Sequence, residues 1–334
     1  MVDKTKTDIT KYSEVRKIIF EAWPKAKIKS LKEFPEGYNN LAYDVRLDNG
    51  DYVIKLLKIK GYEKYVLKQK HIRTLVRKKF KEFPIPKIIK SDFSKKLVDK
   101  PYIIAEKIDG NSFLSEYNNV NNKADLNEQI GELYGKLHSF KFETYGALDH
   151  SLKPIKTYKN WYLEKIKQTR KFIKKIEENK ILPPKKTEEI KEFFEDKKTL
   201  LKKEVGPVLC HGDSSHTNIL VKKIGNMHIV TGIIDFEFAR SSGPVQELFY
   251  GLRTFNRKFK YRKSLVQGYT KWNKLPEEWE ELANLYSWMA NIEQLTRINK
   301  MKWRNLDETK TKARKKEIKR DNLLELNRVM KELN

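Results

Sequence analysis

Two apolar runs in the second half of the chain are each interrupted by polar residues. VLCHGDSSHTNILV, residues 208–221, carries Asp213 and Asn218 in its centre, and GIIDFEFA, residues 232–239, carries Asp235. Short apolar runs bounded by turn-forming residues predict buried strands. Buried carboxylates and amides are costly unless they are paired or bind a ligand. The two interruptions therefore predict a polar site at the ends of buried strands.

The spacing of these residues suggests what the site could do. A Gly-Asn pair at residues 225–226 predicts a turn, and antiparallel pairing across it would bring Asp235 beside the loop at residues 211–218. Asn218 and Asp235 would then offer an amide oxygen and a carboxylate, which are ligands that Mg²⁺ prefers. Asp213 would be a carboxylate able to accept a proton.

A lysine upstream completes a recognisable set of groups. Lys55 lies in the strand-like run YVIKLLK, from which a long cationic side chain could reach phosphates. A lysine on nucleotide phosphates, Mg²⁺ held by Asp and Asn, and an Asp that accepts a hydroxyl proton are the parts of a phosphoryl-transfer site. Either Asp213 or Asn218 alone would more simply be explained as a loop cap.

The net charge of the chain leaves two interpretations open. There are 71 basic and 45 acidic residues, for a net charge of +26. A generally lysine-rich composition would explain this excess. An anionic partner such as RNA would explain it equally well. Residues 253–263 hold six basic residues and no acid, and residues 297–320 hold eleven basic and three acidic. The charge disfavours a cationic ligand unless acidic groups gather around it.

The composition also bears on location. No apolar run approaches the roughly 20 residues needed to cross a bilayer, and the N-terminus lacks the apolar segment of a signal peptide. A single cysteine, Cys210, excludes an internal disulfide and suits a reducing compartment. We therefore expect a cytoplasmic protein with no membrane partner.

The chain changes character near residue 110. Alternating apolar residues at 37–59, with a turn predicted at Asn49-Gly50, indicate a hairpin. Residues 11–23, 63–81 and 125–140 have the apolar spacing of helices. We expect a small β-rich lobe followed by a large helical lobe, with one small sheet embedded at residues 208–236.

These residues resemble a known family. HGDSSHTN followed by IIDFEFA is similar to the catalytic segments of the aminoglycoside phosphotransferase and choline kinase-like superfamily. The segments YVIKLLK, FPIPKII, YIIAEKIDG and IGELYGKLHSF extend the resemblance over most of the chain. The resemblance implies an α+β, bilobal, protein-kinase-like fold. Its N-lobe, residues 1–108, would bind the nucleotide, and its C-lobe, residues 109–334, would hold the catalytic loop and the acceptor-binding helices.

The resemblance also implies roles for individual residues. Asp213 would be the catalytic base on a loop braced by His211, and Asn218 and Asp235 would bind Mg²⁺. The remaining positions would contact ATP: Lys55 at the phosphates, the backbone near Glu106 and Ile108 at adenine, and Asn39 in the phosphate loop PEGYNNLAY.

The sequence departs from the family pattern in three places, one of which is the phosphate loop, with its single glycine, Gly37. The usual helix glutamate that partners the strand lysine has no clear match. Glu63 is the only acid nearby, and Gln69 fits the inward face better, spaced with Tyr65, Ile72 and Val76. In the segment SSGPVQELF, Glu247 stands where family members commonly carry an aspartate.

The expected function is transfer of the γ-phosphate of ATP, with Mg²⁺, to a hydroxyl group of a small molecule such as an aminoglycoside, choline or a sugar. Two alternatives stay open. One is a kinase acting on RNA or another polyanionic acceptor, and the other is a non-catalytic protein that binds nucleotide or RNA.

Overall fold

The computed structural model of the protein describes residues 12–34, 40–58, 61–251, 259–301 and 307–334. They form two compact units. Unit 1 holds the described residues up to Asn119 together with Asp149–Lys153 and Thr217–Glu237. Unit 2 holds Val120–Leu148, Pro154–His216 and the described residues from Phe238 to Asn334. The division at residues 108 and 109 into functional lobes stays a prediction.

The strands of the described residues are short and form three sheets. They are β1 (Ile28–Glu33), β2 (Asn40–Leu47), β3 (Gly50–Leu57), β4 (Ile88–Asp92), β5 (Tyr102–Glu106), β6 (Asn111–Ser112), β7 (Tyr145–Leu148), β8 (Pro154–Tyr158), β9 (Val208–Cys210), β10 (Ile219–Ile224), β11 (Met227–Ile233) and β12 (Arg240–Ser242).

The α-helices of the described residues lie mostly in unit 2. They are α1 (Ser13–Ala22), α2 (Glu63–Lys79), α3 (Phe113–Glu116), α4 (Lys123–Leu137), α5 (Trp161–Glu178), α6 (Pro184–Lys197), α7 (Pro244–Gln246), α8 (Phe259–Thr270), α9 (Trp279–Arg297) and α10 (Glu308–Leu333). Shorter helical turns occur at Lys198–Lys203, Phe236–Phe238, Glu247–Gly251 and Ile298–Lys300. Over the described ranges, none of the helices is both long and apolar enough to span a bilayer.

Unit 1 is built on a five-stranded antiparallel sheet with the order β1–β2–β3–β5–β4. The hairpin predicted around Asn49-Gly50 is confirmed, but Leu47 pairs with Gly50 and the turn therefore consists of Asp48 and Asn49. The Lys27 N–H donates a hydrogen bond to Asp48 Oδ1 (3.0 Å). The Asp48 N–H in turn donates to the Lys27 carbonyl oxygen (3.1 Å), so the turn is tied to the residue that precedes β1.

The core of unit 1 includes one face of α1. Val15, Ile18 and Ile19 are each at most 1% exposed and pack with Val45 and Ile104 of the sheet. Their spacing of three and one residues places them on one helical stripe. Burial of such side chains contributes roughly 1.5–3 kcal/mol each, so packing against the sheet stabilises this short helix.

The predicted sheet at residues 208–236 is wrong, because its strands belong to two different sheets. β10 and β11 form a hairpin that pairs with β6 in unit 1, whereas β9 lies in the unit 2 sheet β8–β7–β12–β9. In that sheet Cys210 pairs with Arg240 and Leu209 with Ser241. The chain leaves one sheet and enters the other through residues 211–218, the polar stretch of the sequence.

The helical core of unit 2 surrounds α9. Trp288 is fully buried and stacks on Phe194, with ring centroids 5.9 Å apart, as expected for a core tryptophan. Trp272, by contrast, is 43% exposed, and the Lys136 ammonium lies over its ring. An indole at the surface can retain this contact with a cation while its edge meets water.

Two glycines let α4 and α8 approach backbone to backbone. A Cβ added at Gly131 would lie 1.9 Å from the Leu265 carbonyl oxygen, and one at Gly268 would lie 1.9 Å from the Glu128 carbonyl oxygen. Any larger side chain would force the two helices apart. This contact fixes α4, whose C-terminal end leads to His138, within unit 2.

Candidate active site

The β10–β11 hairpin places Asn218 and Asp235 at its open end. Ile219 pairs with Ile233, and the Ile234 N–H donates to the Asn218 carbonyl oxygen (2.9 Å). Asn218 therefore lies opposite Ile234 and next to Asp235. The antiparallel pairing predicted from the Gly-Asn turn is confirmed.

Asp235 has a backbone conformation that is uncommon for a residue other than glycine. Its φ is +66°, in the left-handed region, which costs a non-glycine residue roughly 1–2 kcal/mol. Such conformations persist where the surrounding structure holds them, and they are common at functional sites. The side chain of Asp235 is 31% exposed, and Asn218 is buried.

Lys55 of β3 forms an ion pair with Asp235 Oδ1. Burial by itself would lower the pKa of Lys55, but the carboxylates of Asp235 and Glu237 outweigh this and raise its pKa above the usual value. Lys55 therefore stays protonated through the neutral range. Burial raises the pKa of Glu237, against the opposing effect of Lys55.

The partner of Lys55, which the sequence left unassigned, is thus Asp235. The buried residues of α2 are three apolar side chains, Val66, Ile72 and Val76, together with Lys68. Tyr65 was predicted on the inward face and is 37% exposed, so this prediction is wrong. Val66, one residue later, takes its place because it faces the buried Tyr62 and Ile103.

The segment predicted to bind adenine lies beside β11. Glu106 ends β5, and its N–H donates to the Lys87 carbonyl oxygen (2.8 Å). Ile108 packs against Gly232, where an added Cβ would lie 2.8 Å from Ile108 Cδ1. The glycine makes room for this segment three residues before Asp235. Asn39 lies outside the described residues, as do residues 35–38 of the predicted phosphate loop, whose remaining residues, 40–43, belong to β2.

In unit 2, the backbone of the loop that carries Asp213 is held by Glu247. The His211 N–H and the Gly212 N–H (2.8 Å) both donate to the Glu247 carboxylate. The Asp213 N–H donates to Nδ1 of the fully buried His211 (3.2 Å), while the Asp213 residue itself is exposed. Buried side chains therefore hold the backbone of the loop, and Asp213 lies at the surface of the unit.

Glu247 is in turn held by a histidine that sequence reasoning did not assign to the site. His138 Nε2 lies 3.3 Å from Glu247 Oε2, and His138 Nδ1 lies 3.4 Å from the Tyr269 hydroxyl. Burial lowers the pKa of His138 despite the nearby carboxylate, so the neutral ring donates from Nε2. Burial tends to raise the pKa of Glu247, but His138, His211 and the Gly212 N–H together lower it. The sequence feature that could have identified His138 is the Leu-His pair at residues 137–138, at the C-terminal end of α4.

The comparisons with known proteins agree with this geometry. The profile of the phosphotransferase enzyme family matches residues 30–285, which is more than half of the chain. The chain belongs to this family. A search of curated proteins found no match.

The solved structures that resemble this phosphotransferase share its fold at low sequence identity. The GDP complex of wild-type aminoglycoside 2′-phosphotransferase-IIIa has a TM-score of 0.67 at 17% identity, covering 96% of this chain and 98% of that one. A GDP and kanamycin complex of APH(2″)-IIia has a TM-score of 0.65 at 18% identity, with coverage of 94% and 97%. A ternary complex of a thermostable APH(4)-Ia mutant with ADP and hygromycin B has a TM-score of 0.61 at 11% identity, with coverage of 95% and 98%. The predicted α+β, kinase-like fold class is confirmed.

A buried lysine in unit 2 of the phosphotransferase was not anticipated. Lys165 of α5 is 5% exposed, and its ammonium lies 4.5 Å from the Trp161 ring centroid and 5.9 Å from that of Tyr250. Within the described part of the chain, its hydrogen bond goes to the amide oxygen of Gln168 (3.1 Å) and not to a carboxylate. Burial, with a further contribution from Arg240, lowers the pKa of Lys165 to about 7.

Replacing Lys165 with methionine is expected to stabilise the protein. The change keeps the aliphatic stem and removes a buried ammonium, so the free energy of unfolding at about pH 6 should rise by roughly 1–3 kcal/mol. The depressed folded-state pKa means that the unfolded chain binds more protons between about pH 7 and pH 10.5. Wild-type stability should therefore increase with pH across this window, and the advantage of the variant should fade. Denaturant titrations at several pH values measure this.

The matched control is Lys167→Met, two residues away on the exposed side of the same helix. A surface substitution of this kind should change the free energy of unfolding by less than about 0.5 kcal/mol. If Lys165→Met behaved like this control at every pH, the buried ammonium would not affect stability as inferred.

Proposed function

We propose that this phosphotransferase transfers the γ-phosphate of ATP, in the presence of Mg²⁺, to a hydroxyl group of a small molecule. The observation that carries the proposal is the ion pair between Lys55 and Asp235 at the open end of the hairpin that also carries Asn218. In a member of a phosphotransferase family, a lysine, an acid and an amide so arranged fit the phosphate end of a nucleotide.

Lys55 is proposed to hold the phosphates of the nucleotide. Its raised pKa keeps it cationic, and its position in a central strand of the sheet limits its movement. A fixed charge of this kind stabilises developing negative charge without reorganisation during the reaction. The backbone near Glu106 and Ile108 is proposed to receive the base. Residues 1–108 would serve as the nucleotide-binding lobe and residues 109–334 as the catalytic and acceptor-binding lobe.

Asn218 and Asp235 fit a magnesium ion by the chemistry of their donors. Both offer oxygen ligands, and they are adjacent at the end of one hairpin, as a small, hard cation requires. When bound, Mg²⁺ would neutralise charge on the nucleotide phosphates. Asp235 would then share its negative charge between the ion and Lys55.

Asp213 is proposed to accept the proton of the acceptor hydroxyl. It is exposed, and the backbone leading to it is fixed by the Glu247 carboxylate and by His211. A carboxylate positioned in this way can orient the hydroxyl for attack and take its proton as the new bond forms. His211 would act on the reaction only through the position of Asp213.

The acceptor is proposed to be a small hydroxyl compound. Two of the similar structures contain kanamycin and hygromycin B. The net charge of +26 disfavours a strongly cationic acceptor for this chain and supports an RNA acceptor as the second candidate. A non-catalytic role is less well supported, because Lys55, Asp213, Asn218 and Asp235 are all present. The single cysteine and the use of ATP suit a cytoplasmic location.

A labelled-phosphate screen tests this function. The protein would be incubated with Mg²⁺ and γ-labelled ATP or GTP, together with pools of metabolites or total RNA, and the label followed into product. Label in a metabolite supports the proposal, and label in RNA favours the second candidate. If no acceptor pool were labelled although the nucleotide bound, the non-catalytic alternative would replace both.

A further inference from the structure

A lysine-lined groove lies at the beginning of the C-terminal helix α10. It has a volume of about 510 Å³ and is bounded by the turn Ile298–Lys300 on one side and by α10 on the other. Its lining among the described residues includes four lysines: Lys312, Lys315, Lys316 and Lys319. They follow one another at three-, one- and three-residue intervals, so they occupy a single face of the helix over about 10 Å.

The cations of this groove differ from other cations of the same helix. None of the four groove lysines has a carboxylate oxygen within 4.0 Å of its Nζ in the described ranges. Outside the groove, Lys310 pairs with Asp307 (3.4 Å), Arg314 with Glu317 (2.6 Å) and Arg320 with Asp321 (3.5 Å). Lys331, in the last turn of α10, likewise has no ion pair among the described residues, so what distinguishes the groove is four such cations in succession on one face.

Two of the groove lysines are also held in place. Lys315 Nζ donates to the Asn299 carbonyl oxygen (2.8 Å), and Lys319 Nζ donates to the Ile181 carbonyl oxygen (2.7 Å). Backbone carbonyls orient these ammonium groups without cancelling their charge. Lys312 and Lys316 are exposed, and the exposed Ala313 supplies apolar surface between the cations, while Ile298 borders the groove as a buried residue.

We propose that this groove binds a single strand of nucleic acid by its phosphate backbone. A row of unpaired ammonium groups along one helix face can follow successive phosphates, and the apolar surface between them can meet sugar or base. Among the residues that the structure describes, the lining of the groove includes no aromatic side chain on which a base could stack. Binding is therefore largely electrostatic, with little preference for sequence.

A flat anionic bilayer fits these observations less well. Helices that dock on membranes present apolar side chains beside their cations, so that the apolar face enters the lipid. On α10, the large apolar side chain that is exposed is Leu324. It lies outside the groove, towards the C-terminus of the helix. The cations instead line a concave surface, which an extended strand can enter.

The test compares two variants of equal net charge. The groove variant combines Lys312→Gln, Lys315→Gln, Lys316→Gln and Lys319→Gln. The control combines Lys174→Gln, Lys191→Gln, Lys203→Gln and Lys310→Gln, whose lysines each pair with a carboxylate outside the groove. Binding of a fluorescent RNA oligonucleotide of about 16 nucleotides is measured by anisotropy over a range of salt concentrations.

The groove variant is expected to bind about 10- to 100-fold more weakly than wild type at low salt, with a salt slope smaller by about 3. The control should stay near wild type. DNA of the same length should bind similarly to RNA, and phosphorylation of the small acceptor should be unchanged in both variants. Circular dichroism reports whether α10 remains folded.

If the groove variant loses helix, the double variant Lys312→Gln with Lys316→Gln replaces it, because neither of these lysines has a hydrogen bond to the backbone in the described residues. Its salt slope should fall by about half as much. Equal weakening by the groove variant and the control would overturn the proposal in favour of general charge. Tighter binding to phosphatidylserine vesicles or to duplex than to the single strand would also overturn it.

Discussion

Replacing Asp213 with asparagine is expected to lower phosphoryl transfer by about 10²- to 10⁴-fold while nucleotide affinity stays near its wild-type value. The amide is the same size as the carboxylate but cannot take the hydroxyl proton. The backbone of this loop is held by Glu247 and by His211 Nδ1, and neither contact involves the Asp213 side chain. The substitution should therefore remove a chemical group without moving the loop.

Rates with the acceptor found in the screen, together with nucleotide titrations, measure this effect. Asp196→Asn is the matched control, since it makes the same change at an exposed carboxylate of unit 2 that pairs with its neighbour Lys197 (2.9 Å). Turnover of Asp213→Asn at the wild-type rate would show that another group accepts the proton. Loss of nucleotide binding in parallel would point instead to a structural role.

Replacing Asp235 with asparagine is expected to reduce kcat/KM by at least about 10²-fold and to raise the Mg²⁺ concentration needed for half-maximal activity. Asparagine tolerates the left-handed conformation at this position, where φ is +66°, so the backbone should be retained. What disappears is the charge that pairs with Lys55 and that we propose binds the metal. Activity measured against Mg²⁺ concentration separates the two contributions.

The control for this variant is Asp109→Asn in the same unit. Asp109 also pairs with a lysine, Lys222 (2.6 Å), but its side chain is 76% exposed, and such surface ion pairs contribute at most about 1 kcal/mol. Combining Asp235→Asn with Lys55→Met tests whether the pair acts as a unit. If the fold-reduction in kcat/KM of the double variant equalled the product of the two single fold-reductions, Lys55 and Asp235 would act independently. The ion pair would then not function as a unit in the site.

The local part of this site could be predicted from the sequence. A two-residue turn and the apolar runs on either side of it fix the register of an antiparallel hairpin, so Asp235 had to lie near Asn218. The identity of the Lys55 partner could not be obtained in the same way. It depends on contact between β3 and a residue 180 positions later in the chain, which no local period records.

Long-range pairing also explains the main error in the fold. β9 joins β12, whose sequence Arg-Ser-Ser carries no strand signal, so the sequence predicts a single sheet at residues 208–236. Lys165 was missed for a related reason. It lies in a helix with many charged residues, so the sequence predicts an exposed lysine at this position. Its burial depends on contact with Tyr250, which is distant in the chain.

Unit 1 consists of segments that are far apart in the chain, and this has a consequence for how it folds during synthesis. Its strand β6 pairs with β10, and the β10–β11 hairpin belongs to the same unit although almost a hundred residues separate the two segments. After the ribosome has added Asn119, it must still synthesise the chain up to Glu237 before this unit has all its strands. At ordinary elongation rates that interval is on the order of 10 seconds. During this time β6 lacks its partner strand, so the N-terminal part of unit 1 cannot complete its fold until the β10–β11 hairpin has been synthesised.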